Sequence, residues 1–177
     1  MKRSEFEHAI RAAGAVLGVR ELLVIGSQAL HASVEGNLPP EASRSVEVDV
    51  AALHGDPDGK QADLIDGSIG EASMFHETFG YYAQGVVEAT AILPSGWRKR
   101  LVRFETPGTN GVVAWCLEPH DLWIAKAIAG RPKHIEFCRV LCRRAIVSAQ
   151  TLSKRLAKVP NLAPAVRAGV ERRIGAQ

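Results

Sequence analysis

The sequence has few cysteines and no long hydrophobic run. Its three cysteines, Cys116, Cys138 and Cys142, are irregularly spaced and form no Cys-x-x-Cys pair. They therefore predict neither a disulfide framework nor a zinc site. No stretch offers the roughly 18 consecutive apolar residues that a membrane span needs, and residues 1–5 lead into an amphipathic, acid-containing pattern. We expect a protein of the reducing cytoplasm that is neither secreted nor inserted into a membrane.

Aromatic residues are also scarce, at 6% of the 177 residues, but the chain is otherwise ordinary in composition. Apolar residues make up 46% and charged residues 23%. These fractions exclude an intrinsically disordered chain and a coiled coil as first expectations. A chain of this length can bury a substantial hydrophobic core, so the composition predicts a globular protein.

Charge is unevenly distributed although the net charge is only +3. Residues 1–125 contain 10 Lys and Arg against 17 Asp and Glu, whereas residues 126–177 contain 12 against 2. A basic C-terminal part beside an acidic body suits a protein that holds a polyanion near a metal-binding carboxylate site. The same distribution also arises from solvated helix faces, and charge alone does not separate the two interpretations.

Hydrophobic periodicity and turn residues predict strands first and helices last. Residues 71–84 are interpreted as a loop entering a strand, and the three later strands as an antiparallel meander. The predicted strands are 22–25, 46–50, 86–93, 100–105 and 112–117; the predicted helices are 4–18, 28–32, 61–69, 120–129, 133–145, 149–158 and 161–173. The expected fold class is α/β (α+β), with a mixed, largely antiparallel sheet flanked by helices. Residues 1–118 form the predicted core domain, and residues 119–177 form a C-terminal helical bundle that is expected to pack with the core as one unit.

The first chemically informative pattern is a strand on which acids alternate with valines. Val46, Val48 and Val50 alternate with Glu47 and Asp49, and side chains at i and i+2 of a strand lie on the same face. The valines are expected to face the core while the two carboxylates lie side by side. Such a pair repels itself, and a hard divalent cation relieves the repulsion. An exposed edge strand has the same pattern, so the pair alone does not establish a metal site.

A glycine–serine turn precedes the acid pair. Residues 22–25 form an apolar run that ends at Gly26, and Ser27 begins a predicted helix. Glycine lets the backbone approach a phosphate closely, and amide groups and a hydroxyl at a helix start favour anions. Many strand-to-helix turns use the same two residues only as a cap.

Together the turn and the acid pair resemble the polymerase beta-like nucleotidyltransferases, which have a hydrophobic-Gly-[Gly/Ser] turn and then a strand with two acids one residue apart. Glu47 follows Ser27 by 20 positions, longer than the shortest spacing in that superfamily. Further segments resemble a bacterial branch akin to the AbiEii/MenT toxins of toxin–antitoxin and phage-defence systems. These segments are residues 70–76, 80–86, 93–97 and 116–122, and the resemblance covers nearly the whole chain.

The resemblance implies further site residues. Lys126 corresponds to a basic residue that contacts the triphosphate, and Glu88 to a third metal-binding carboxylate on a later strand. Arg131 and Lys133 lie at a predicted helix start, where their charge opposes the helix dipole unless an anion is near. His134 stands where the family pattern has aspartate, and a histidine does not replace a carboxylate ligand or base at neutral pH.

The resulting hypothesis is transfer of a nucleotide from a nucleoside triphosphate, with Mg²⁺ or Mn²⁺ bound by Glu47, Asp49 and Glu88. The resemblance implies tRNA or a protein as acceptor and a cognate antitoxin as partner. Because of His134, a catalytically degenerate fold that binds nucleotide or RNA is the alternative. A helical DNA-binding protein is a third interpretation of the basic C-terminal part, but no helix-turn-helix pattern supports it.

Overall fold

A five-stranded mixed sheet organises the first part of the computed structural model, which describes residues 1–176. The strand order is β3-β2-β1-β5-β4. The strands are β1 (Glu21–Val24), β2 (Glu47–Ala52), β3 (Tyr82–Gly85), β4 (Val102–Phe104) and β5 (Val113–Cys116). The pairs β1–β2 and β4–β5 are antiparallel, whereas β1–β5 and β2–β3 are parallel. The predicted fold class, a mixed sheet flanked by helices, is confirmed.

The chain divides into two compact units. The first comprises Met1–Thr90 and Leu101–Leu117 and contains the whole sheet; the second comprises Ala91–Arg100 and the residues from Glu118 onward. The predicted domain division between residues 118 and 119 assigned residues 91–100 to the core domain. In the structure these ten residues belong to the second compact unit. The domain division itself stays a prediction.

Four helices accompany the sheet in the first unit: α1 (Arg3–Leu17), α2 (Pro40–Ser43), α3 (Lys60–Ile69) and α4 (Met74–Phe79). The buried apolar face of α1 includes Phe6 and Ile10, and α1 packs against α3. Helix α3 connects β2 to its parallel neighbour β3 and packs against β3 so closely that a Cβ on Gly85 would lie 2.0 Å from the Ala62 carbonyl oxygen. The absence of a side chain at Gly85 thus permits the contact between the helix and the strand.

The prediction for residues 71–84 missed α4. The Ser73 hydroxyl accepts a hydrogen bond from the His76 N–H at 3.2 Å, and Gly80 ends the helix in the left-handed conformation at φ 76°. Both ends of the helix were therefore visible in the sequence as a capping serine and a terminal glycine. The helix escaped prediction because it is short and none of its residues is buried, so it shows no hydrophobic period.

The predicted strand at 86–93 and the antiparallel meander are wrong. The strand is β3, which ends at Gly85, and Glu88–Thr90 is a turn of 3-10 helix. Only β4 and β5 remain of the three predicted meander strands, and β3 pairs with β2 rather than with them. The apolar residues in 86–93 have a strand-like pattern. The strand that pairs with β2 nevertheless begins at Tyr82, four residues before the predicted start.

The second unit is helical. Its helices are α5 (Pro119–Ala129), α6 (Pro132–Arg143), α7 (Ala149–Leu156) and α8 (Pro164–Gly175), near their predicted positions. Proline occupies the first turn of α5, α6 and α8, where its missing N–H leaves no bond unmade. The helices bury an apolar core, including Trp123, Leu141 and Leu152. Across residues 1–176, no helix has both the length and the apolar content that crossing a membrane requires.

Candidate active site

The glycine turn and the acid-bearing strand meet in the first unit. Strands β1 and β2 are paired, and the Ile25 N–H donates to the Asp49 carbonyl at 3.2 Å. A Cβ built on Gly26 would lie 1.7 Å from the Asp49 carboxylate oxygen Oδ2. Gly26 has φ −92° and ψ −171°, which any residue can adopt. Glycine is therefore required here for space, because the carboxylate of Asp49 occupies the place of a side chain.

The two acids lie on the half-buried face of β2. Val48 and Val50 are fully buried and alternate with Glu47 and Asp49, which are partly exposed. The predicted alternation thus holds within the strand. Val46 is an exception: it is 46% exposed and precedes the strand, so it does not anchor the core as expected.

Tyr82 holds the first acid in place. It is opposite Glu47 in the β2–β3 register, and its hydroxyl donates a hydrogen bond to Glu47 Oε2 at 3.2 Å. The side chain is only 6% exposed. Burial, followed by the charge of Glu47, raises the pKa of Tyr82 to about 12, so the phenol remains a protonated donor at neutral pH. Sequence reasoning missed this residue because the partnership depends on strand register.

Phenylalanine at position 82 is expected to weaken the site without unfolding it. Tyr82→Phe removes the hydroxyl that orients Glu47 but retains the buried ring. On the prediction that Glu47 binds a metal ion, loss of the hydroxyl that orients it should reduce metal affinity or activity about 10-fold to 100-fold. Activity titrated against Mg²⁺ would show the effect as a higher metal requirement. An unchanged metal requirement would contradict the role given to Tyr82.

Two further predicted site residues belong to the first unit: Ser27 precedes the Glu47–Asp49 pair in the sequence, and Glu88 follows it. Ser27 is the first residue of a 3-10 helix, Ser27–Ala32, whose N-cap is Gly26. Glu88 lies in a 3-10 turn after β3 rather than on a strand, which corrects the prediction. Among residues 1–176, no group of three or more His, Cys, Asp or Glu side chains could hold a metal ion.

The predicted basic residues belong to the second unit. Lys126 is in the last turn of α5, with its ammonium 5.3 Å from the Phe137 ring centroid. Arg131 caps α6 and Lys133 is in its first turn. Burial, and then the charges of Lys126, Arg131 and Lys133, lower the pKa of His134 to about 4. His134 is therefore neutral at physiological pH.

The mixed sheet with its flanking helices places Gly26 against the Asp49 carboxylate, and this architecture is consistent with a nucleotidyltransferase fold. Comparison with protein families leads to the same class. The model of the family described as "Nucleotidyltransferase of unknown function (DUF6036)" matches residues 6–162, well over half of the chain. The protein therefore belongs to this family. Neither the comparison with curated proteins nor the comparison with solved structures found a match.

Proposed function

We propose that the protein transfers a nucleotide from a nucleoside triphosphate to an acceptor hydroxyl, with Mg²⁺ or Mn²⁺ held by Glu47 and Asp49. One observation carries the proposal: the Asp49 carboxylate lies against Gly26, and Glu47 is on the same face of the same strand. Membership of a nucleotidyltransferase family supports transferase activity of this class.

The donor set at Glu47 and Asp49 fits a magnesium ion. Mg²⁺ is usually bound through one or two carboxylates, with water and substrate phosphates as the other ligands. Two carboxylates one residue apart on a strand meet this requirement, and a larger cage of protein ligands is not needed. Bound Mg²⁺ would neutralise triphosphate charge and orient the reacting oxygens. Glu88 remains a prediction for a third ligand.

The residues around the carboxylates suit a triphosphate. Ser27 follows Gly26 at the start of the 3-10 helix, and its hydroxyl is the candidate donor to a phosphate. Contact of Lys126, Arg131 and Lys133 with the phosphates is proposed on the resemblance to the polymerase beta-like enzymes alone. Their positive charges contribute, after burial, to the lowered pKa of His134.

The proposed reaction is a displacement at the α-phosphorus. An acceptor oxygen forms a bond to this phosphorus while the bond to the bridging oxygen breaks. Pyrophosphate leaves with the bonding electron pair, and the hydroxyl proton passes to solvent. The protein needs to contribute positioning and charge rather than covalent chemistry. Glu47 and Asp49, with Tyr82 orienting the former, provide fixed charge in the site.

The acceptor and the biological setting follow from the resemblance to the AbiEii/MenT toxins. We infer an RNA, such as tRNA, or a protein as acceptor, and a role in toxin–antitoxin or phage-defence systems with a cognate antitoxin. These assignments go beyond family membership and are part of the proposal.

Labelled triphosphates test the proposed reaction directly. Each of four nucleoside triphosphates, labelled at the α-phosphate, would be incubated with the protein, Mg²⁺ and either total tRNA or cell lysate. Covalent labelling of macromolecules is expected with at least one triphosphate, and it should be absent with EDTA. Sensitivity of the product to RNase or protease identifies the acceptor. Absence of labelling with every triphosphate and acceptor would contradict the transferase proposal.

A degenerate nucleotidyltransferase that only binds nucleotide or RNA is the second candidate. The observation in its favour is His134, whose pKa of about 4 leaves a neutral imidazole where the family pattern has a carboxylate. This candidate predicts binding of a triphosphate without any covalent product. The labelling assay, combined with a measurement of triphosphate binding, separates the two candidates.

A further inference from the structure

The second unit carries a large excess of positive charge. It contains 15 Lys and Arg against four Asp and Glu, whereas the first unit contains seven against 15. In the sequence, the acidic part ends at residue 125 and the basic part follows. The second unit also includes Ala91–Arg100, whose basic residues add to its positive charge. A charge excess spread over one folded unit is typical of a surface that meets a long polyanion.

Three arginines of this unit line one cavity. It has a volume of about 330 Å³ and is enclosed by α5, α6 and α8. Its lining includes Arg139, Arg172 and Arg173 and contains no Asp or Glu. Trp123 and Cys138 contribute an apolar floor, and the Trp123 indole N–H is already bonded to the Cys138 carbonyl at 3.0 Å. The polar groups available to a ligand are therefore mainly guanidinium groups.

Two of the guanidinium groups converge over Gly169. Arg173 Nη1 lies 3.8 Å, and Arg172 Nη2 3.9 Å, from the position that a Cβ on Gly169 would occupy. Arg173 Nη1 also donates to the Ala127 carbonyl at 3.1 Å, which fixes its orientation at the end of α5. The small residue leaves open space beside two cations, one of which is already held in place.

Arg139, the third arginine, can exchange its ion-pair partner at a small cost in stability. Arg139 pairs with Glu136 at 3.4 Å, and both side chains are largely exposed. Exposed ion pairs contribute little to stability. A phosphate entering the cavity can therefore replace the carboxylate as the partner of Arg139.

We propose that this cavity binds phosphates of the backbone of a nucleic acid strand. Planar guanidinium groups bind phosphate through paired hydrogen bonds, and the surrounding charge suits a strand rather than a single anion. The assignment of this strand as the acceptor rests on the proposed transferase function, whereas the binding itself requires no transfer.

Paired variants test the cavity. Arg139→Gln with Arg172→Gln removes two lining charges, and Arg143→Gln with Arg144→Gln removes two charges of the same unit outside the cavity. Arg143 also pairs with Glu136, at 2.9 Å, so each double variant removes one partner of that carboxylate. Arg173 is kept because it also binds the end of α5. Fluorescence anisotropy would measure binding of labelled single-stranded RNA and DNA oligonucleotides without triphosphate.

The cavity variant is expected to bind the oligonucleotide about 10-fold more weakly or worse, and its salt dependence should fall by about one unit of slope for each lost phosphate contact. The control variant should change much less. Equal weakening in both variants would assign binding to diffuse charge and overturn the proposal. Two further results would also overturn the proposal. In one, polyglutamate displaces the labelled oligonucleotide more strongly than unlabelled oligonucleotide does; in the other, the protein binds inorganic phosphate but not the oligonucleotide.

The outcome is separable from that of the proposed function. Oligonucleotide binding that depends on the cavity, without nucleotide transfer, would leave this inference standing and remove the transferase. The opposite result is that the cavity variant transfers nucleotide to RNA and binds oligonucleotide as tightly as the control variant. That result would support the transferase and overturn this inference.

Discussion

Substitution of Asp49 by alanine is expected to abolish nucleotide transfer while leaving the fold intact. The carboxylate is one of two that would hold the metal, and it occupies the space over Gly26. A metal ion contributes several kcal/mol to stabilisation of the transition state, and each 1.36 kcal/mol corresponds to a factor of ten in rate. Transfer should therefore fall by about 10³-fold or more in the labelling assay. Asp49 is half-buried beside its like-charged neighbour, so its removal should not destabilise β2.

Asp63→Ala is a matched control for this variant. Asp63 is an exposed acid on α3 of the same unit, so the change removes the same charge at a distance from the glycine turn. Its transfer activity should equal that of the unchanged protein. Circular dichroism and thermal unfolding should agree for all three proteins. Full activity in Asp49→Ala, with an intact fold, would show that Glu47 and Asp49 do not form the active site.

Of the substitutions proposed for this protein, Asp121→Ala is expected to lower the free energy of unfolding most. Asp121 is fully buried at the start of α5. Its carboxylate accepts hydrogen bonds from Arg100 Nε at 2.7 Å and Arg100 Nη2 at 3.1 Å, and Arg155 Nε lies 3.5 Å away. Removal of the carboxylate leaves the partly buried Arg100 without its acidic partner, whereas Arg155 retains Glu118 at 3.9 Å. Breaking a buried ion pair in this way costs about 3–5 kcal/mol.

We expect the lower end of that range because both arginines retain some contact with water. A loss of about 3 kcal/mol is a large fraction of the 5–15 kcal/mol that stabilises a typical domain. Urea denaturation followed by circular dichroism would measure it as a lower midpoint. The segment Ala91–Arg100 should detach from the helical unit first, because Arg100 is its ionic link to α5.

Glu136→Ala provides the matched comparison. Glu136 also pairs with two arginines, Arg139 and Arg143, but all three side chains are exposed. Solvent screens such pairs, so this variant should unfold at nearly the same urea concentration as the unchanged protein. Similar losses in Asp121→Ala and Glu136→Ala would show that burial does not set the strength of the Asp121 network.

The sequence anticipated elements whose local pattern agrees with their final environment. Helix α1 and helices α5 to α8 have apolar residues at helical spacing, and each lies near its predicted position. Proline or glycine marks an end of each of them except α7, which begins after the capping Ser148. The alternation of valine with Glu47 and Asp49 likewise predicted β2. These features follow from periods that depend only on the neighbouring residues.

Strand pairing could not be obtained in the same way. The parallel alignment of β2 with β3 places Tyr82 opposite Glu47, although 35 residues separate them. No local period encodes this register, because it depends on how α3, which connects the two strands in sequence, packs against them. For the same reason β3 was predicted too late in the chain, and Glu88 was assigned to a strand.

By itself the sequence determined the mixed fold class, the acid pair and the glycine turn, because composition, period and turn chemistry are local properties. Only the tertiary structure decided that the Asp49 carboxylate fills the space beside Gly26 and that Tyr82 bonds Glu47. It also brought Arg139 together with Arg172 and Arg173 from a distant helix. Distances between residues far apart in the chain arise from packing and strand register, which no local pattern specifies.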